Sequence, residues 1–224
     1  MTYTKAETGV VLTVTGSVAG NVSGKTGDSN AFNVVAGAAD ATASTLTPTS
    51  ASIVADGSTT QVLTVTAKDA NGNSLTAGGS TVTITKSSGT GTISSVTDNS
   101  NGTYTATVTS PTAAGSGVFV ATLGAAAVKS GTGSQTQSTI TYTAGTATKL
   151  VVSTISGQTA GTGFAVTVTL TDVNGNPVNA TADGTVTLSL KTGTGTLGGT
   201  VTGTMTLGSS AVTISGVTYT KAET

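Results

Sequence analysis

Antiparallel β-sandwich modules in tandem, an all-β fold class, are predicted by three observations. Apolar residues alternate with polar ones at a period of two. Gly- and Asn-rich turns separate these runs at regular spacing. The sequence also repeats internally at the length of one sandwich. Composition agrees: of 224 residues 36% are hydrophobic, only 3% aromatic and 8% charged, with 31 glycines for turns. Thr and Val dominate the rest, and β-branched side chains favour strands. The regular alternation argues against the disorder that Gly/Ser/Thr-rich chains often show.

Taken in chain order, TGVVLTVTG at 8–16 and SNAFNVVAG at 29–37 read as two strands. Leu63, Val65 and Ala67 then alternate with polar residues, which gives a strand with one buried face. That strand runs into Asp69-Ala70-Asn71-Gly72-Asn73, and Asn-Gly is the strongest short hairpin signal because both residues tolerate positive φ. Val82 and Ile84 mark the next strand, followed by a Gly-Thr-Gly turn. Runs at 101–109, 117–123 and 138–143 add three more strands. Further on, Phe164, Val166, Val168 and Leu170 repeat the one-sided pattern and lead into Asp172-Val173-Asn174-Gly175-Asn176. Val186, Leu188 and Leu190 continue it. Residues 219–224 read as a strand ending in a solvated Glu223. No helical period is visible.

Two repeats organise these strands. TYTKAET fills 2–8 and again 218–224, a period of 216 (218 − 2). LTVTAKDANGNSL at 63–75 matches VTVTLTDVNGNPV at 166–178, an offset of 103 (172 − 69). TVTITKSSGTGT at 81–92 likewise matches TVTLSLKTGTGT at 185–196. The division expected from this is a complete module at 40–144, flanked by the two parts of a split one. Residues 1–38 supply its last two strands and residues 145–224 its opening strands. The N-terminus has no signal-peptide shape, so the sequence reads as one period of a longer array.

Several function classes are excluded by residue type. The chain has no Cys, His or Trp, and all eight of its cationic side chains are Lys. Common zinc sites, a Ser-His-Asp triad and a Cys nucleophile are therefore impossible, as is any disulfide. A formal net charge of −1 without Arg leaves no electrostatic footprint for nucleic acid. No apolar run approaches the ~20 residues of a membrane helix.

The DANGN and DVNGNPV turns, the TVT strands after them, and NGTYTATVTSP with AGSGVFVAT at 101–122 resemble bacterial immunoglobulin-like domains of the invasin/intimin group 1 type. The likeness is strong over 44–143 and extends to 147–220 joined to 2–37. It implies an immunoglobulin-like antiparallel β-sandwich, a tandem rod in a large surface adhesin, and an extracellular, cell-surface location without catalytic residues or cofactors. No adhesive tip domain is recognisable.

Candidate sites are few. Asp69, Asn71 and Asn73, with Asp172, Asn174 and Asn176, place oxygen ligands at alternate positions like the opening of a calcium loop. The terminal acidic ligand is missing, so the favoured reading is an Asx-type turn, with calcium at a module junction, aided by Asp40 or Asp183, the competing one. Lys86 or Lys149 offers an isopeptide donor, although no pattern specifies the buried acid such a bond needs. Asp56, Asp98 and Asp183 lie in turns and suggest no acid/base pair. Asn21, Asn101 and Asn179 sit in N-x-Ser/Thr sequons. The function expected is a non-catalytic stalk or fibre segment of a surface adhesin. Neighbouring copies or repeats, joined by strand complementation, are the expected partners. Two alternatives stand beside it: a self-assembling fibre subunit completed by strand donation, and a carbohydrate-binding module, for which the four Tyr and three Phe offer little stacking surface.

Overall fold

A computed structural model describes residues 2–17 and 21–222. Among these residues there is no helix, and so none long and apolar enough to cross a membrane. Contacts divide the chain into two compact units. The first is Met1–Ala51, Thr60–Thr109 and Ser116–Ile140; the second is Ser52–Thr59, Ser110–Gly115 and Thr141–Thr224.

The first unit opens with a ribbon of two short antiparallel pairs. Strand β1 (Glu7–Val10) pairs β4 (Phe32–Val34), and β2 (Thr13–Thr15) pairs β3 (Thr26–Asp28), with Thr13 opposite Asp28 and Thr15 opposite Thr26. The two arms thus form one interrupted hairpin. The run expected as a single strand over 8–16 is broken at Val11 and Leu12, and that over 29–37 is a strand only at its centre. Among the described residues no third strand joins the ribbon. Lone two-stranded ribbons gain little from pairing alone, which accounts for the short elements.

Two sheets follow, packed as a sandwich. One has the order β10 (Thr97–Asp98), β11 (Thr103–Thr109), β7 (Thr60–Asp69), β5 (Ala39–Thr47), with β9 (Thr92–Ile93) also on β11. The other has the order β13 (Ala126–Ala127), β12 (Gly115–Leu123), β14 (Gln137–Thr143), β6 (Ser50–Val54), with β8 (Val82–Gly89) also on β12. The ends of β6, β12 and β14 run into the second unit. Period-two burial fills the core: Leu63, Val65 and Ala67 from β7, Tyr104, Ala106 and Val108 from β11, and Phe119, Ala121 and Leu123 from β12. Glycine is required at Gly102, where φ is +81° and an added Cβ would meet the Leu75 carbonyl oxygen.

The second unit carries a four-stranded sheet of order β15 (Lys149–Val152), β16 (Phe164–Thr171), β20 (Ala211–Tyr219), β18 (Leu197–Gly199). Beside it lies a two-stranded sheet of β17 (Gly184–Thr187) and β19 (Thr202–Met205). Val166, Val168, Val186, Met205, Ile214 and Val217 form its core, with Phe164, Leu170 and Leu188 packed against it. The strand expected to include Leu188 and Leu190 stops at Thr187, and Leu190 is exposed. Its counterpart β8 runs for 8 residues against β12; among the described residues β17 pairs only β19 and runs for 4.

Candidate functional site

The two Asp-x-Asn-Gly-Asn segments close as Asx turns at the ends of β7 and β16. Asp69 Oδ1 accepts the backbone N–H of Asn71 at 3.0 Å and of Asn73 at 2.9 Å. Asp172 Oδ1 does the same with Asn174 and Asn176, both at 2.9 Å. Gly72 and Gly175 take φ of +85° and +90°, which a side chain would strain.

Beyond the turn, each motif reaches a linker and a loop. In the first unit, Asp69 Oδ2 accepts the N–H of Gly37 and the side-chain amide of Asn73, both at 2.9 Å. Asn73 then bonds back to the segment that precedes β1: its Nδ2 donates to the Thr4 carbonyl at 2.7 Å, and its Oδ1 accepts the Ala6 N–H at 2.9 Å. In the second unit the pattern recurs bond for bond. Asp172 Oδ2 accepts Gly145 N–H and Asn176 Nδ2, both at 2.9 Å. Asn176 Nδ2 donates to the Thr112 carbonyl at 2.8 Å, and its Oδ1 accepts Ala114 N–H at 2.7 Å. Asn174 adds a bond of its own, from Nδ2 to the Ala55 carbonyl at 3.1 Å.

The register of the two clamps follows the repeat. The turns are 103 residues apart (176 − 73), and the three backbone partners are each 108 apart (112 − 4, 114 − 6, 145 − 37). Both carboxylates are buried, Asp69 to 4% exposure and Asp172 to 1%. Burial alone raises a carboxylate pKa, because it penalises the charge. Here donors win: the Asn73 amide first, then the N–H groups of Gly37, Asn73 and Asn71, hold Asp69 down at about 2. The Asn176 amide, with the N–H groups of Gly145, Asn176 and Asn174, holds Asp172 at about 2.

Chemically, each clamp is a carboxylate whose two oxygens are covered by N–H donors. A bound Ca²⁺ takes 6–8 oxygen ligands and would meet the positive ends of these N–H groups instead. Among the described residues no three acidic side chains come together. Asp40 accepts the Ala43 N–H of its own strand at 2.9 Å, and Asp183 accepts the Leu207 N–H from the turn after β19 at 2.7 Å.

The other candidates are spread over the surface. Lys86 donates to the Gly91 carbonyl and Lys149 to the Val173 carbonyl, both exposed. Asp56 accepts from Thr59, Ser58 and Ser110, and the Thr59 hydroxyl and backbone bonds press its pKa far below the carboxylate range. Asp98 caps Gly79 and Ser100. Asn21, Asn101 and Asn179 are exposed. Tyr104, Tyr142 and Phe119 are buried, while Tyr3 and Phe32 face outward. Glu223 lies outside the described residues. The linker glycines Gly37 and Gly145 and the loop acceptors Thr4 and Thr112 are not singled out by sequence motifs. A signal was present, however, in the shared Thr-x-Ala at 4–6 and 112–114 and the Ala-Gly at 36–37 and 144–145.

Known proteins bear on this arrangement in three ways. No curated protein matches the chain. Solved structures similar to it include the Yersinia pseudotuberculosis adhesin InvE, with 25% identity over 80% of this chain and 52% of that one, TM-score 0.43. Invasin, a bacterial integrin-binding protein, shares 21% identity over 88% of this chain and 38% of that one, TM-score 0.51. The Escherichia coli adhesin FdeC shares 23% over 86% and 69%, TM-score 0.42. The chain thus spans about half the length of InvE and less of invasin. The family model described as invasin, domain 3 matches residues 40–145, from β5 to the Gly145 of the second clamp. Residues 40–145 therefore match the invasin domain 3 family, and the chain shares the immunoglobulin-like antiparallel β-sandwich fold of invasin.

Proposed function

We propose that this chain is a structural repeat segment of a bacterial cell-surface adhesin, an extracellular stalk that spaces and stiffens rather than catalyses. The observation that carries the reading is the clamp built twice from the same atoms. A carboxylate buried among N–H donors fixes a linker glycine and a loop together within each unit. Bonds to an ionised acceptor are about twice as strong as neutral ones. The invasin-type module at 40–145 and its adhesin relatives support the surface setting. Short linkers after Ala36 and Ala144 leave few free torsions at the clamps.

The test is the length of tandem copies in solution. A strand of ~10 residues spans ~33 Å, so a 216-residue period of two modules adds roughly 70–90 Å to an extended stalk. Small-angle scattering on one, two and three periods in a single chain is expected to show that increment, with a cross-section that stays constant. Maximum dimensions that grow by much less, with a widening cross-section, would sink the stalk reading.

A further inference from the structure

We propose that Asn71 is a modification site. In the folded protein its side-chain amide cyclises onto the Gly72 nitrogen and hydrolyses to aspartate and isoaspartate, faster than at the matching Asn174, and the isoaspartate unlocks the first clamp. The inference concerns the chemistry of the turn and does not rest on the adhesin reading.

The reaction needs no partner but water. The Gly72 nitrogen loses its proton and attacks Asn71 Cγ. A C–N bond forms, the Cγ–Nδ2 bond breaks, and ammonia leaves, which closes a succinimide ring. Water then opens one of the two ring carbonyls. Opening at Cγ leaves an aspartate at position 71. Opening at the backbone carbonyl carbon leaves isoaspartate, whose main chain runs through Cγ and is one methylene longer. Either product adds one negative charge, so the formal net charge goes from −1 to −2 (−1 − 1). A following glycine favours the attack, because no Cβ crowds its nitrogen and its torsions are the freest of any residue. The chain has three Asn-Gly pairs, at 71–72, 101–102 and 174–175.

Their surroundings differ. Asn101 Oδ1 accepts the Thr103 N–H at 3.0 Å and the Thr103 hydroxyl at 2.6 Å, so Cγ reaches the next nitrogen only by giving up both bonds. Gly102 is buried, and its carbonyl accepts the Ala67 N–H at 2.8 Å. With the Leu75 carbonyl packed against it, no room is left for a ring. Asn71 and Asn174 make a closer comparison, because both are exposed and their turns match. In each, the Asn N–H donates to the Asp Oδ1. The glycine N–H donates to the Asp carbonyl, at 2.9 Å for Gly72 and 3.2 Å for Gly175. An added Cβ on either glycine would meet nothing within 4 Å. One restraint is not shared. Asn174 Nδ2 donates to the Ala55 carbonyl at 3.1 Å, whereas among the described residues the Asn71 amide has no hydrogen-bond partner. A bond wholly absent outweighs the slightly shorter bond at Gly72, so the Asn71 amide turns onto the next nitrogen at the lower cost.

The consequence follows from where Asn71 stands. It lies midway between Asp69 and Asn73, the two residues that make the clamp. The Asn73 N–H meets Asp69 Oδ1 at 2.9 Å, and the Asn73 amide donates to Oδ1 at 3.1 Å and to Oδ2 at 2.9 Å. These bonds need a chain of fixed length between the two residues. The added methylene of isoaspartate carries Asn73 off the carboxylate, and with it the bonds to the Thr4 carbonyl and the Ala6 N–H. The new carboxylate also places a like charge two residues from Asp69, which disfavours the ionised form that the clamp uses. Asn71 itself contributes only its backbone N–H, so the intact turn holds with a side chain that is chemically labile.

Ageing the full chain in warm, mildly alkaline buffer and mapping its peptides by mass spectrometry reads all three sites at once. The same chain unfolded in guanidinium gives the rate that local sequence sets at each site. After division by those rates, folded Asn71 is expected to convert at least about fivefold faster than Asn174, the rate equivalent of the one hydrogen bond that separates them, and Asn101 is expected to be slower still. Hydrogen exchange on the aged chain reads the clamp. The amides of Ala6 and Gly37 are expected to lose protection in proportion to the isoaspartate formed, while those of Ala114 and Gly145 keep theirs. Asn71→Gln retains the backbone donor and cyclises far more slowly, so it is expected to keep Ala6 and Gly37 protected through the same ageing. Folded rates that keep the unfolded ratios, or fastest conversion at Asn174 or Asn101, overturn the site. Conversion at Asn71 that leaves Ala6 and Gly37 unchanged overturns the unlocking.

Discussion

Replacing Asn176 by Ala removes the side chain that ties the second clamp together. The amide donates to the Thr112 carbonyl at 2.8 Å and to Asp172 Oδ2 at 2.9 Å, and accepts the Ala114 N–H at 2.7 Å. Asn176 is buried, so water replaces these bonds poorly. A hydrogen bond is worth about 1 kcal/mol net, and more when its partner is left buried and unsatisfied. Three lost bonds, one of them to a carboxylate, give a cost of about 3 kcal/mol. The neighbour Asn174 is a matched control, because its side chain donates to the Ala55 carbonyl at 3.1 Å, and Asn174→Ala is expected to cost about 1 kcal/mol. Native-state hydrogen exchange reads the effect where it arises. The amides of Ala114 and Gly145 are expected to exchange roughly 100-fold faster in Asn176→Ala, while those of β7 and β11 change little. An unchanged rate at Ala114 and Gly145, with an unfolding midpoint within error of the parent, would refute the clamp as a source of rigidity.

Acid acts on both clamps together. Asp69 and Asp172 are depressed to about 2, below the ~3.9 of an unfolded aspartate, so the folded state binds fewer protons than the unfolded one. Their contribution is full above ~pH 4 and fades as pH falls toward ~2. Thermal melts from neutral to acid pH are expected to be flat and then to drop in that window, and Asp172→Asn is expected to shrink the drop; melting that rises below pH 4 would contradict the sign. Calcium is expected to leave the melting temperature unchanged within about 1 °C at millimolar concentration, since a ligand stabilises only by binding the native state. A calcium-dependent rise abolished by Asp69→Ala would show instead that the turn opens to hold the ion. Gly102→Ala forces a side chain into φ +81° against the Leu75 carbonyl. Urea unfolding is expected to report a loss of more than about 1 kcal/mol, against a near-neutral Gly133→Ala, whose added Cβ meets nothing.

Much of this architecture was legible because its signals are local. The alternation of Leu63, Val65 and Ala67 reappears as a buried face, as does that of Val166 and Val168. Asn71-Gly72 and Asn174-Gly175 form turns because glycine alone takes their positive φ without strain. What the local pattern leaves open is which strands find partners. Leu188 and Leu190 alternate as well as Val82 and Ile84 do, yet only β8 continues past the fourth residue, because β12 lies beside it. Alternation specifies a face, whereas strand length depends on a neighbour distant in sequence. The clamp was half legible for the same reason. Asp69 and Asn73 stand out in the sequence, but Gly37, Thr4 and Ala6 are ordinary residues, and only the fold brings them to one carboxylate.

The calcium-like spacing and the observed clamp share one physical origin. A calcium loop and an Asx turn both curl the backbone around a carboxylate at the first position. What separates them is the sign of the groups that arrive later. In a calcium site further oxygens converge and need a cation among them. Here the fifth residue is Asn, and its amide nitrogen rather than its oxygen turns inward, 2.9 Å from both Asp69 Oδ2 and Asp172 Oδ2 in their respective units. The outer oxygen is thereby freed for a backbone N–H of the neighbouring loop, at Ala6 and at Ala114. One amide thus bonds the ionised carboxylate and a neighbouring loop at once. With both carboxylate pKa values held down, each clamp is expected to weaken in strong acid.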